Sequence, residues 1–312
     1  MSADILKNSI VHFKQLRSLE LSDAVFMSDF VLWEVLGTLP SLANLTLMAF
    51  DPASHPADAP ENSNNQSEDL KYFDALESLS VTGSFFLIQH LLGFIDSPCL
   101  KSINVYPITN YVRFNHDHEP EDLFTPSMTI VASKWSQSLK KLVIDSSAIG
   151  NAHRYAMSKC LMLFTDLHEM QTIHLKGWRM ENMDDDVKCL VMSWPKLRIL
   201  RLPLNQTFIS LSTLRIIAEN CPELRSLDIR IDTSIILPFD TSSRSFCHNL
   251  EVLSVGRVHP STQTTLECQI QVTRHLDSIF PYLKSIEVRR DVTWSGIRDL
   301  LKLCQDARRR VK

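Results

Sequence analysis

Glycine is scarce in this chain, with 7 in 312 residues. Phosphate cradles and nucleotide-binding turns need clustered glycines, and the sequence carries no G-x-G-x-x-G, P-loop or G-x-S-x-G elbow; H-E-x-x-H is missing too. The seven cysteines (Cys99, Cys160, Cys189, Cys221, Cys247, Cys268, Cys304) form no CxxC pair. An odd, scattered set fits reduced thiols, not a disulfide framework or a zinc site. No apolar run reaches the roughly 18 residues of a membrane helix. The opening MSADILKNSIVHFKQL lacks the basic, apolar, small-residue order of a secretory signal. Charge of neither sign dominates, at 32 Lys and Arg against 36 Asp and Glu, which disfavours a general nucleic-acid or anionic-membrane surface. These absences predict a soluble cytoplasmic or nuclear protein that is not an enzyme, with no cofactor, no metal, no nucleic-acid partner and no membrane partner.

What is present is repetition. CPELRSLDIR at 221–230 nearly restates WPKLRILRLP at 194–203, and the same phrase, an apolar residue, two spacers and then L-x-x-L-x-L, recurs through the chain. The ten copies are FKQLRSLEL (13–21), LPSLANLTL (39–47), FDALESLSV (73–81), SPCLKSINV (97–105), SQSLKKLVI (136–144), LHEMQTIHL (167–175), WPKLRILRL (194–202), CPELRSLDI (221–229), CHNLEVLSV (247–255) and FPYLKSIEV (280–288). At 44% hydrophobic residues, three apolar positions carry little weight alone, but the longer phrase does. The residue after the first aliphatic is charged in eight of ten copies, and proline follows the leading residue in five. Successive copies lie 24 to 39 residues apart, with a base period near 26. That is the range of leucine-rich repeats.

Within each phrase the last two aliphatics alternate with mostly polar neighbours, the period-two signature of a strand with one buried face. Helical stretches lie between phrases, at 28–37, 84–95, 184–194, 212–221 and 295–310. Several open with Ser or Asp, which cap first-turn amides. The recurrent proline ends the helix, since it has no N–H and disfavours helix in the residue before it. One such unit cannot bury its apolar face alone, so stacking follows. The predicted fold is α/β, a leucine-rich-repeat solenoid of about ten repeats, with parallel strands on the concave face of a horseshoe and helices on the convex face. Residues 1–15, through Leu6, Ile10 and Phe13, are expected to cap the first strand. Residues 16–294 form the repeats, and the helix at 295–312 caps the last strand.

CPELRSLDI and FPYLKSIEV, with full helices between the phrases, resemble the leucine-rich-repeat region of fungal and plant F-box proteins. That resemblance implies a substrate-recognition protein for ubiquitin ligation and, in the family, a Skp1-like adaptor docked on an N-terminal F-box. Only fifteen residues precede Leu16 and none reads as that box, so adaptor binding attaches to no residue here. The alternative is a stand-alone leucine-rich-repeat scaffold or regulator with no ligase role.

With the aliphatics inward, the intervening strand positions make the binding face. In the first five copies these are small or neutral for the most part. In the last five, His174, Lys176, Arg201, Asp228, Arg230 and Arg289 form a mixed, mostly basic patch. Arg pairs bidentately with carboxylate and phosphate, so the expected partner is an acidic or phosphorylated protein segment.

The two longest spacings carry insertions, near 51–69 and 106–126. The first, DPASHPADAPENSNNQSED, is polar and proline-rich and reads as a disordered excursion. The second holds HDHEPED, where His116 and His118 beside Asp117, Glu119, Glu121 and Asp122 have metal-ligand chemistry but no scaffold to converge on, so a solvated acidic loop is expected. The run Asp184, Asp185, Asp186 reads as a negative first turn favoured by the helix dipole. A Cys/His nucleophile pair needs only to meet in space. Cys221 and Cys247, however, occupy the same repeat position as Trp194 and Phe280, which points to core packing.

Overall fold

A computed structural model describes residues 9, 12–22, 30–48, 73–108, 120–147, 158–178, 180, 182–203, 208–233, 248–256, 265–288 and 291–311. The chain divides into two compact units, Met1–Tyr155 and Ala156–Lys312. Each combines parallel strands with helices, in an α/β pattern.

In the first unit the order is β1 (Ser18–Leu21), α1 (Phe30–Gly37), β2 (Asn44–Met48), β3 (Ser78–Gly83), α2 (Phe85–Phe94), β4 (Ser102–Pro107), α3 (Pro120–Trp135) and β5 (Lys141–Asp145). The second unit holds α4 (Ser158–Met162) running into a 3₁₀ turn (Leu163–Asp166), then β6 (Thr172–Lys176), α5 (Met183–Ser193), β7 (Ile199–Arg201), α6 (Leu211–Asn220), β8 (Ser226–Ile229), β9 (Val252–Val255), α7 (Leu266–Ile279), β10 (Ser285–Val288) and α8 (Val292–Val311). Strands pair with their neighbours in chain order, parallel and open, β1 to β5 in one unit and β6 to β10 in the other.

Every strand coincides with a repeat phrase. The first aliphatics from Leu42 to Leu283 are at most 3% exposed. The strand aliphatics behind them, such as Leu79 and Val81 or Leu227 and Ile229, are buried, while the residues between them are not. Burying one such side chain is worth roughly 1.5–3 kcal/mol, so each copy of the phrase contributes to stability. Val143 in β5 departs from the alternation and is buried, as an apolar side chain gains from being.

Helix boundaries follow local chemistry. Ser84, Ser210 and Thr265 each accept a first-turn N–H at 3.3 Å. Trp194, Cys221 and Phe280 leave the helix with ψ of 63°, 68° and 66°, each just before a proline.

Three expectations are corrected. The interval 106–126 is not one loop, because Tyr106 and Pro107 finish β4 and α3 starts at Pro120. Phe124, Met128, Val131, Ala132 and Trp135, at helical spacing, are buried there and outweigh the prolines and acids that suggested a loop. Phe13 is 55% exposed and does not cover β1; Leu6 and Ile10 lie outside the described residues. The last helix starts at Val292, since Asp291 Oδ1 accepts the N–H groups of Thr293 and Trp294 at 3.0 and 3.3 Å. It buries Trp294, Ile297 and Leu301 and packs on α7 and β10. Arg308 holds Asp277 and donates to the Pro281 carbonyl at 3.2 Å, and Gln305 donates to the Leu283 carbonyl at 2.8 Å. The 51–69 stretch and HDHE at 116–119 lie outside the described residues.

Candidate functional site

The second unit presents its alternate strand positions in two straight rows. Register places Thr172, Ile199, Ser226, Val252 and Ser285 in one row, and His174, Arg201, Asp228, Ser254 and Glu287 in the next. These are side chains the buried aliphatics force outward, on strands about 4.8 Å apart. Arg201, Ser226, Asp228, Val252, Ser254, Glu287 and Val288 line a shallow depression of about 420 Å³.

Of the patch expected from sequence, His174, Arg201 and Asp228 share a row. Lys176 is exposed at the end of β6, two residues beyond it. Arg230, just past β8, is half-buried, with Cζ 5.3 Å from the Phe208 ring centroid, a cation–π contact. Its side chain lies over Gly256, where an added Cβ would stand 2.5 Å from Arg230 Cγ. The backbone approach at Gly256 thus makes room for Arg230. Arg289 lies outside the described residues. Glu287, placed on the outward face by its position between Ile286 and Val288 but not among the charged residues expected to meet a partner, joins the depression.

The charged residue after the first aliphatic has a separate role. Glu77 pairs with Lys101 at 3.0 Å, Arg198 with Glu223 at 2.9 Å, and Glu251 with Lys284 at 3.0 Å and Arg225 at 3.9 Å. Lys284 holds the Glu251 carboxyl below its usual range by hydrogen bond and charge, with Arg225 adding to the pull. Arg198, Arg225, Glu251, Lys284 and Tyr282 rim a second depression of about 470 Å³. Because these cations already face carboxylates one repeat away, they tie repeats together and present little unbalanced charge.

Cys221 and His248 do meet, but not as nucleophile and base. The Cys221 thiol is buried, its pKa pushed up to about 12 by desolvation, and Sγ faces the carbonyls of Val191 and Trp194 at 3.6 Å. His248 Nε2 bonds the Cys221 carbonyl at 2.8 Å, and Nδ1 accepts the Leu250 N–H at 3.1 Å. That pattern assigns the proton to Nε2 and leaves the imidazole neutral. A thiolate is disfavoured and the ring's hydrogen bonds go to backbone, so the pair packs.

Asp184 does more than favour a helix dipole. Its Oδ1 accepts Ser210 N–H and Thr213 Oγ1–H, both at 2.8 Å, joining the start of α5 to the start of α6.

No helix among the described residues is long and apolar enough to cross a membrane. No family model matches the sequence, and no curated protein matches it.

Proposed function

We propose that the chain is a protein-binding module of the leucine-rich-repeat type, with strands on the inner side of each coil and helices outside, and that it acts by recognition, without catalysis. The observation that carries this reading is the pair of in-register rows across β6 to β10, where outward side chains sit on a rigid sheet around an open depression. Side chains held on a sheet lose little freedom on binding, which suits recognition. His174, Lys176, Arg201 and Arg230 favour an acidic or phosphorylated protein segment over β6 to β8. The resemblance to F-box leucine-rich-repeat proteins makes ubiquitin-ligase substrate recognition the biological role proposed first.

Affinity purification of the tagged chain from its native cells, with and without a proteasome inhibitor, tests this reading when run beside Arg201→Glu. The expected result is a protein partner retained by the native chain and lost with the variant, together with a Skp1-like adaptor and a cullin. A face-dependent partner without adaptor or cullin supports the stand-alone scaffold instead. Identical partners for both chains would remove this face from the account.

A further inference from the structure

The row that holds Arg201 carries opposite signs on β7 and β10. Arg201 on β7, Asp228 on β8, Ser254 on β9 and Glu287 on β10 are consecutive register partners. Arg201 and Glu287 are both exposed, and among the described residues neither enters an ion pair. Asp228, between them, is half-buried and already engaged. Apart from the Asp228 carboxylate beside Arg201, the floor between them is small or apolar: Ser226, Val252 and Ser254. A second chain can therefore lie close to the sheet there, with one cation at one end of its path and one anion at the other.

Resting on the proposed protein-binding role, we infer that the segment held on this face is an extended peptide of dipolar character, an acidic side chain over Arg201 and a basic one over Glu287. Three strand steps of about 4.8 Å separate these two residues by about 14 Å, and an extended chain rises about 3.3 Å per residue, so the two partner charges stand about four residues apart. A uniformly acidic segment would bring like charge to Glu287, and a uniformly basic one to Arg201; like-charge juxtaposition selects against both. The face is thus more discriminating than a basic patch, because it specifies two signs and a spacing.

The full chain is panned against a display library of short peptides that carry two charged positions at variable spacing, with phosphoserine included as one form of acid. The expected enrichment is one acid and one base about four residues apart in an extended chain. Glu287→Lys turns that preference to two acids and Arg201→Glu turns it to two bases, each by roughly tenfold. Enrichment of phosphoserine over Asp and Glu identifies the acid as a phosphate, and the reverse identifies it as a carboxylate. Strongest binding by uniformly acidic peptides overturns the dipolar inference but leaves the protein-binding role intact. Absence of enrichment over the Arg201→Ala, Glu287→Ala double variant, with its melting profile unchanged, overturns both.

Discussion

His248 stands where Pro195, Pro222 and Pro281 stand in other repeats, yet it is buried and packs edge-on to Phe280 at 5.3 Å. Burial holds its pKa below the ordinary 6.5, against an opposing pull from the bond to the Cys221 carbonyl. The fold therefore favours the neutral ring. Protonation would place a proton on Nδ1, where the Leu250 N–H already donates. As pH falls through about 6.5 the unfolded chain takes up this proton first, so stability that is full above that point is lost progressively toward the lower folded value. His90, on an exposed position of α2, is shifted the same way by desolvation. Urea midpoints at about pH 7.5 and about pH 5.5 should show the loss, and His248→Gln should flatten but not abolish it. An equal slope in the variant would refute this assignment. Thiols offer a second check: Cys99, Cys189 and Cys304 are exposed, while Cys160 and Cys221 are buried. Iodoacetamide with peptide mapping should label the first three in the native protein and the last two only after denaturation. Of these residue-level features, the burial of Cys221 was legible from its repeat position. The His248 bonds were not, because they depend on a carbonyl one repeat back.

Between elements, the turns that lead into the strands are stapled to one another. In the first unit Ser97 Oγ donates to the Leu76 carbonyl at 2.7 Å, and Trp135 Nε1–H donates to the Ser97 carbonyl at 2.8 Å. In the second, Trp194 Nε1–H donates to the Phe164 carbonyl at 3.0 Å, Cys221 Sγ faces the Trp194 carbonyl, and His248 bonds the Cys221 carbonyl. Each link satisfies a buried carbonyl from the next repeat. Trp194→Phe keeps most of the volume but removes the donor, so it should cost about 1–3 kcal/mol in urea unfolding with an unchanged m value. Asp184→Ala removes the carboxylate that holds Ser210, the cap of α6, and Thr213, and should cost about 1–2 kcal/mol, whereas a change at Asp185, whose carboxylate is largely in solvent, should be nearly silent. Equal effects at the two positions would favour the dipole reading over the cap. Strands were the legible elements, since period-two alternation inside a fixed phrase has no helical counterpart. The α3 and α7 helices were harder to see: acids and prolines crowd the start of α3, and α7 buries only Val272, Thr273, Leu276 and Ile279 among polar residues.

For each unit as a whole, ordered parallel strands were legible because a single repeat cannot bury its own apolar face. The candidate face was legible in part. Alternation identified Arg201, Asp228 and Glu287 as outward, and the register sets the three in one row. Composition suggested a mostly basic patch. The fold draws Arg230 over Phe208 and Gly256 and brings Glu287 into the depression, a neighbour relation visible only once the strands are aligned. Gly256→Ala should displace Arg230 and destabilise the second unit by about 1–3 kcal/mol. The central claim is that partners meet this chain on the sheet face of β6 to β10. Its most direct test is photo-crosslinking in native cells, with the reactive amino acid in place of Ser254 on that face or of Met192, which is 65% exposed on α5. The account predicts a protein adduct from position 254 that disappears with Arg201→Glu, and none from position 192. An adduct from position 192 alone would place the interaction on the helices and contradict it.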